Sequence, residues 1–141
     1  MANKTTATLS ITSNIGSSGI RLNCSTALYQ AGTTTDIDYH TGLHRLDMET
    51  TNAVQILDDA NYSTKANMLY IKNLSQTPTD FITIGDAVDG TPNLTAAGTL
   101  GCLYAGQFAL IPYDPSGGTK HIHVQQSVAN MDWEFMLFHQ D

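Results

Sequence analysis

The sequence predicts an all-β fold, an antiparallel sandwich or small barrel of about eight to ten strands. Three observations predict it. Short runs rich in β-branched and aromatic residues recur along the chain, with turn residues between them about every 8–12 positions. Within those runs polar and apolar residues alternate, which gives each run one apolar face. Helical periodicity is nowhere sustained: the best helical stretch, residues 52–70, is interrupted by NYST and rich in poor helix formers.

In TTATLSITS, Thr5, Ala7, Leu9 and Ile11 alternate with Thr6, Thr8, Ser10 and Thr12. Residues 1–12 read as an N-terminal arm and first strand, leading into one domain over 13–141. In IRLNCSTALYQAG, Leu22, Cys24, Thr26 and Leu28 share a face, with Asn23, Ser25, Ala27 and Tyr29 opposite. GLHRLDMETT sets Leu46 and Met48 against Asp47 and Glu49, and AVQILDD adds a short run. The remaining runs read as three hairpins. MLYIKNLS and DFITIGDAV are split by QTPT, GTLGCLYAG and QFALIPYD turn around Gly106, and KHIHVQQS and MDWEFMLFHQ turn around VAN. Trp133, Phe135 and Leu137 form one continuous apolar face. Met136 and Phe138 make the other face apolar towards its end, with Glu134 as the polar exception. Such a strand is central in a sandwich or covered by another subunit.

A chain of 141 residues can bury a core of its own without disulfides or a structural metal. Charged residues make up only 13%, so Thr, Asn, Ser and Gln must build most of the polar surface. The net charge is −7, and the six cations are scattered singly. Nucleic acid and anionic membrane surfaces both demand clustered cations, so neither is an expected partner. Cys24 and Cys102 lie in apolar-rich runs and are expected as buried free thiols. The N-terminus lacks the apolar stretch of a signal peptide, so the chain is expected to stay unexported, with its N-x-[ST] matches due to chance.

The strongest site candidate is HIHVQQS. On a strand, His121 and His123 project side by side, as metal ligands at i and i+2 do, but a metal needs further ligands from elsewhere. The other histidines are His40, His44 and His139, and Asp36, Asp38 and His40 alternate as though on one strand face. A site built from both segments would be cupin-like. Yet Gln125 stands near where an acid would be expected, and no further strong ligand is evident. Ile122 and Val124 supply the core face instead, leaving His121, His123 and Gln125 to solvent or a neighbouring subunit. The adjacent acids Asp58 and Asp59 read as solvated loop residues. No nucleophile elbow, activated thiol or phosphate loop is present, so an enzyme is not expected, nor any cofactor.

One composite pattern resembles a known family. The Y-I-K-N strand (Tyr70 to Asn73), F-I-T-I-G (Phe81 to Gly85), G-C-L-Y-A-G-Q-F-A-L-I-P (Gly101 to Pro112) and the aromatic W-E-F-M-L-F (Trp133 to Phe138) are similar to small virion proteins of tailed phages, particularly marine phages and cyanophages. That resemblance implies a jelly-roll-like sandwich and a structural role as a capsid decoration (cement) protein. The expected partners are the major capsid protein or other virion proteins, with assembly as a dimer or trimer on the virion surface after synthesis in the host cytoplasm. A tail, neck or fibre component is the nearest alternative. A carbohydrate-binding sandwich is another, with Tyr39, Tyr62 and Tyr113 stacking on sugars.

Overall fold

The computed structural model describes residues 4–13, 19–29, 37, 39–62, 67–87, 94, 99–115 and 120–140. Their strands are β1 (Thr6–Ser13), β2 (Ile20–Ala27), β3 (Tyr39–His40), β4 (His44–Met48), β5 (Val54–Leu57), β6 (Asn67–Asn73), β7 (Phe81–Ala87), β8 (Thr99–Tyr104), β9 (Phe108–Tyr113), β10 (His121–Gln126) and β11 (Met131–His139). All the pairings between them are antiparallel.

One sheet runs β5-β10-β7-β8, and a second runs β11-β6-β9 with β3 and β4 both pairing on the outer side of β11. The pairs β4–β11, β5–β10, β6–β9 and β7–β8 are nested: the chain from β4 to β7 lies alongside the chain from β8 to β11 running back. The domain is therefore one long hairpin wrapped into two four-stranded layers, which is a jelly roll, with β3 added at one edge. The additional pairs β11–β6 and β10–β7 join the turns of the wrap.

This nesting replaces the three local hairpins that the sequence predicts. β6 and β7 lie in different sheets, as do β8 and β9, and β10 and β11. Each intervening turn carries the chain across the sandwich instead of back along its neighbour. None of those turns, residues 74–80, 105–107 and 127–130, is a two-residue Asn-Gly or Asp-Gly loop that would fix a tight hairpin. Gly106, at φ 75°, and Asn130, at φ 57°, take up the left-handed backbone the short turns require.

Alternation fills the space between the layers. Leu69 and Ile71 from β6, Ile82 and Ile84 from β7, Ile122 and Val124 from β10, and Trp133, Phe135 and Leu137 from β11 are all buried there. Two buried amides tie the layers together. Asn73 Nδ2 donates to the carbonyls of Asp80 and Leu103 at 3.2 and 3.0 Å, and its Oδ1 accepts from Ser75 N at 2.9 Å. Gln126 Nε2 donates to the carbonyls of Met48 and Thr50, holding β10 to the chain between β4 and β5.

β1 and β2 form a hairpin of their own, in full register from Thr6↔Ala27 to Ser13↔Ile20, and neither joins another sheet. Of residues 1–12, expected as an arm and first strand, those from Thr6 onward lie in β1 of this two-stranded arm, and residues 1–3 lie outside the described residues. Its root is fixed by Leu28 N donating to Thr5 O and Ile37 N to Leu28 O, at 2.9 and 3.0 Å. The two cysteines overturn the burial expected of them. Cys24 on β2 and Cys102 on β8 are both exposed, free thiols. Cys24 belongs to the arm and Cys102 to the edge strand β8, where its neighbour Leu103 packs against the core instead.

Candidate functional site

The chain offers two features with functional potential, a polar corner at the end of β10 and an apolar surface around the arm. The corner begins with a bulge. β10 pairs β5 as Ile122↔Leu57, His123↔Gln55 and Val124↔Val54, so Ile56 is the extra residue on β5. Bulges re-aim the side chains beyond them. This one keeps Leu57 on the core face and sends the chain into a short 3-10 turn over Asp59–Asn61 at the end of the strand.

Asp58 caps that turn, its Oδ1 accepting from Ala60 N at 3.0 Å. The same oxygen lies 3.5 Å from His121 Nδ1, and Asp59 Oδ1 lies 3.4 Å from that nitrogen. Gln55 Nε2 approaches it at 3.5 Å. His121 and Asp59 are half-buried, with side chains 16% and 22% exposed, and Asp58 is more open at 41%. The two acids read from sequence as solvated loop residues therefore converge on a histidine that strand alternation had already singled out. No sequence signal joins them, because the register of β5 on β10 decides which residue of β10 they meet.

The other expected site residues fare differently. His123 is buried, 3% exposed, rather than facing solvent, its ring lying 6.3 Å from that of His121 at 71°. It sits opposite Gly85 on one neighbour and Gln55 on the other. Gln125 donates to Thr51 O at 3.1 Å. His40 is on β3, in the other sheet, so a site combining it with His121 and His123 does not form. Its Nδ1 accepts from Gly42 N at 3.1 Å. Asp36 and Asp38 lie outside the described residues. His44 stacks on Phe135 at 5.0 Å between ring centroids, and His139 lies between Tyr39 and Tyr62. Of the tyrosines weighed for sugar stacking, Tyr113 is buried and donates its hydroxyl to Lys120 O at 2.7 Å.

The second feature is apolar. The register of the arm puts Ala7, Leu9, Ile11, Ile20, Leu22 and Cys24 on one face, and Thr6, Thr8, Ser10, Thr12, Arg21, Asn23 and Ser25 on the other. Leu9, Ile11, Ile20 and Leu22 are 43–57% exposed. Beside the arm lies the outer face of the second sheet, where Tyr70, Phe108, Leu110, Met136 and Phe138 are aligned by the β9–β6–β11 register. An open apolar cavity of about 350 Å³ separates the root of the arm from these residues. A second groove of similar size lies between Leu9 and Cys24 of the arm and Phe108 and Leu110 of β9. The arm therefore leaves much of its own apolar face, and part of that sheet face, uncovered.

Within the same outer face Glu134 is nearly buried. Arg45 Nε donates to its Oε2 at 3.1 Å, and the Tyr70 hydroxyl donates to its Oε1 at 3.0 Å. Desolvation first, then the hydrogen bond to Glu134 and its negative charge, push the Tyr70 hydroxyl above the usual tyrosine range. No helix among the described residues is long and apolar enough to cross a membrane. Comparison with protein-family models, with curated proteins and with solved structures finds no match to this chain.

Proposed function

We propose that the chain is a structural protein of a virion, a capsid decoration protein that assembles with copies of itself and binds the outside of the major capsid lattice. The observation that carries this reading is the β1–β2 arm, a two-stranded ribbon with an exposed apolar face and no third strand among the described residues. A lone two-stranded ribbon is at best marginally stable in water, so its apolar face calls for a covering surface. The jelly roll suits this role, being shared by capsid and lectin domains and by cupins, but it does not single the role out. The sparse charge and hydroxyl-rich surface suit repeated protein contacts and fit poorly with DNA.

A standard interface buries about 800 Å² per partner over roughly 20–30 residues, so the eight residues on the arm's apolar face supply on the order of 250 Å². Arms exchanged in both directions between two copies would double that. Repetition across a lattice multiplies weak contacts into firm attachment.

The test has two parts. Light scattering on the purified chain should give a discrete oligomer, and the chain should co-sediment with capsid shells at a stoichiometry set by the lattice. Ile11→Asp with Leu22→Asp should weaken both while leaving the circular dichroism spectrum unchanged. A monomer that ignores capsid shells overturns the reading, and binding confined to tails moves it to a tail, neck or fibre component.

A further inference from the structure

We propose that Asp58, Asp59 and His121 form a binding site for a divalent transition-metal cation, which clips the end of edge strand β5 to β10. Three acceptor atoms, Asp58 Oδ1, Asp59 Oδ1 and His121 Nδ1, lie within 4.8 Å of one another. Two carboxylate oxygens and an imidazole nitrogen, each with a lone pair to offer a cation, are thus gathered in one place.

Nδ1 stands 3.4 and 3.5 Å from the two oxygens. A tetrahedral cation with bonds of about 2.0–2.2 Å holds its donor atoms roughly 3.3–3.6 Å apart, which matches both nitrogen–oxygen distances. The set is also held in place before any ion arrives. His121 is held opposite Ala87 by the pairing of β10 with β7, and the cap to Ala60 N aims Asp58 Oδ1.

The donor types choose the metal. An imidazole nitrogen favours zinc, cobalt or nickel over magnesium and calcium, which prefer all-oxygen sets. Three protein donors leave a fourth position for water. The Gln55 amide is already near Nδ1, and turning it over would bring its Oε1 to that side. The ligands come from the β5 end and from β10, so binding would pin a short edge strand whose last residue is Leu57. This site is independent of the arm and of the virion reading.

The experiment is calorimetric titration of untagged protein with zinc chloride, repeated with cobalt chloride and magnesium chloride, alongside thermal melts. Expected are one equivalent of zinc, visible cobalt absorption of a tetrahedral site, a raised melting temperature, and no magnesium response. His121→Gln and Asp59→Asn should each weaken zinc binding at least about tenfold, since changes even outside the ligand sphere cost 10–100-fold. His139→Ala should bind zinc like the parent chain. Circular dichroism of each variant checks that it is folded, and loss of zinc binding counts only for a folded one. The proposal is overturned if zinc fails to bind saturably to the parent chain, if either ligand variant binds unchanged, or if His139→Ala abolishes binding.

Discussion

The Tyr70 hydroxyl on β6 donates a 3.0 Å hydrogen bond to the Glu134 carboxylate on β11, the strand beside it. On Glu134's other side stands Arg45 of β4, so one buried acid is served by both strands flanking β11. The polar residue among the apolar ones from Trp133 to Phe138 is thereby satisfied where it stands.

Removing Arg45 should therefore cost more than neutralising Glu134. Arg45→Ala leaves a carboxylate with its side chain only 9% exposed and Tyr70 as its remaining partner, a loss of about 1–2 kcal/mol once the exposed guanidinium is discounted. Glu134→Gln keeps an acceptor for Tyr70 and should cost less. Urea melts of both variants check the order.

The raised Tyr70 pKa fixes a pH dependence. A hydroxyl whose folded pKa lies above its unfolded value near 10 contributes fully below about pH 10 and loses that contribution as pH rises through the folded value. The stability gap between the parent chain and Tyr70→Phe should accordingly be constant from neutral pH to about pH 9 and shrink at higher pH. Melts from pH 7 to 11.5 read it out. A gap that widens on the alkaline side contradicts the assignment.

Asn73 is 0% exposed and serves three backbone groups around the β6–β7 turn and β8. Asn73→Ala strands them and should cost about 2–4 kcal/mol. Asn73→Asp should be worse, because it turns a carboxylate oxygen towards two carbonyls that now receive N–H donors. Chemical denaturation ranks the two.

Face parity makes a sharper contrast. Trp133→Ala empties the centre of the core and should cost about 3–5 kcal/mol. Phe108→Ala removes a ring that is 59% exposed on the outer face, and should shift stability by no more than about 0.5 kcal/mol. If the outer face is covered on assembly, Phe108→Ala weakens the oligomer instead, which light scattering detects.

Thiol accessibility offers an independent view of the arm. Cys24 and Cys102 should both react with a disulfide reagent in the native monomer, without denaturant. Cys24, on the apolar face of the arm, should become protected in the assembled state. Equal reactivity of Cys24 in monomer and oligomer would show that this face stays open.

Alternation of side chains was enough to identify most of the strands and the core faces of the central ones, because that period is a property of the backbone alone. Ile122 with Val124, and Trp133 with Phe135 and Leu137, needed nothing more. The same period in the arm separated Leu9 and Ile11 from their threonine neighbours, yet it could not say that this face would remain uncovered, as burial depends on what lies opposite. Pairing was illegible for a related reason. An apolar face is satisfied by any apolar layer, and the turns of this chain span the gap between layers as readily as the gap between neighbours. The nested order of β4 to β11 emerges only when both layers close around one core. The meeting of His121 with Asp58 and Asp59 follows from that order and from one extra residue, Ile56, on β5. The sequence determined which residues share a face of each strand; the tertiary structure decided which faces are covered and which strands meet, because both are set by contacts between residues far apart in the chain.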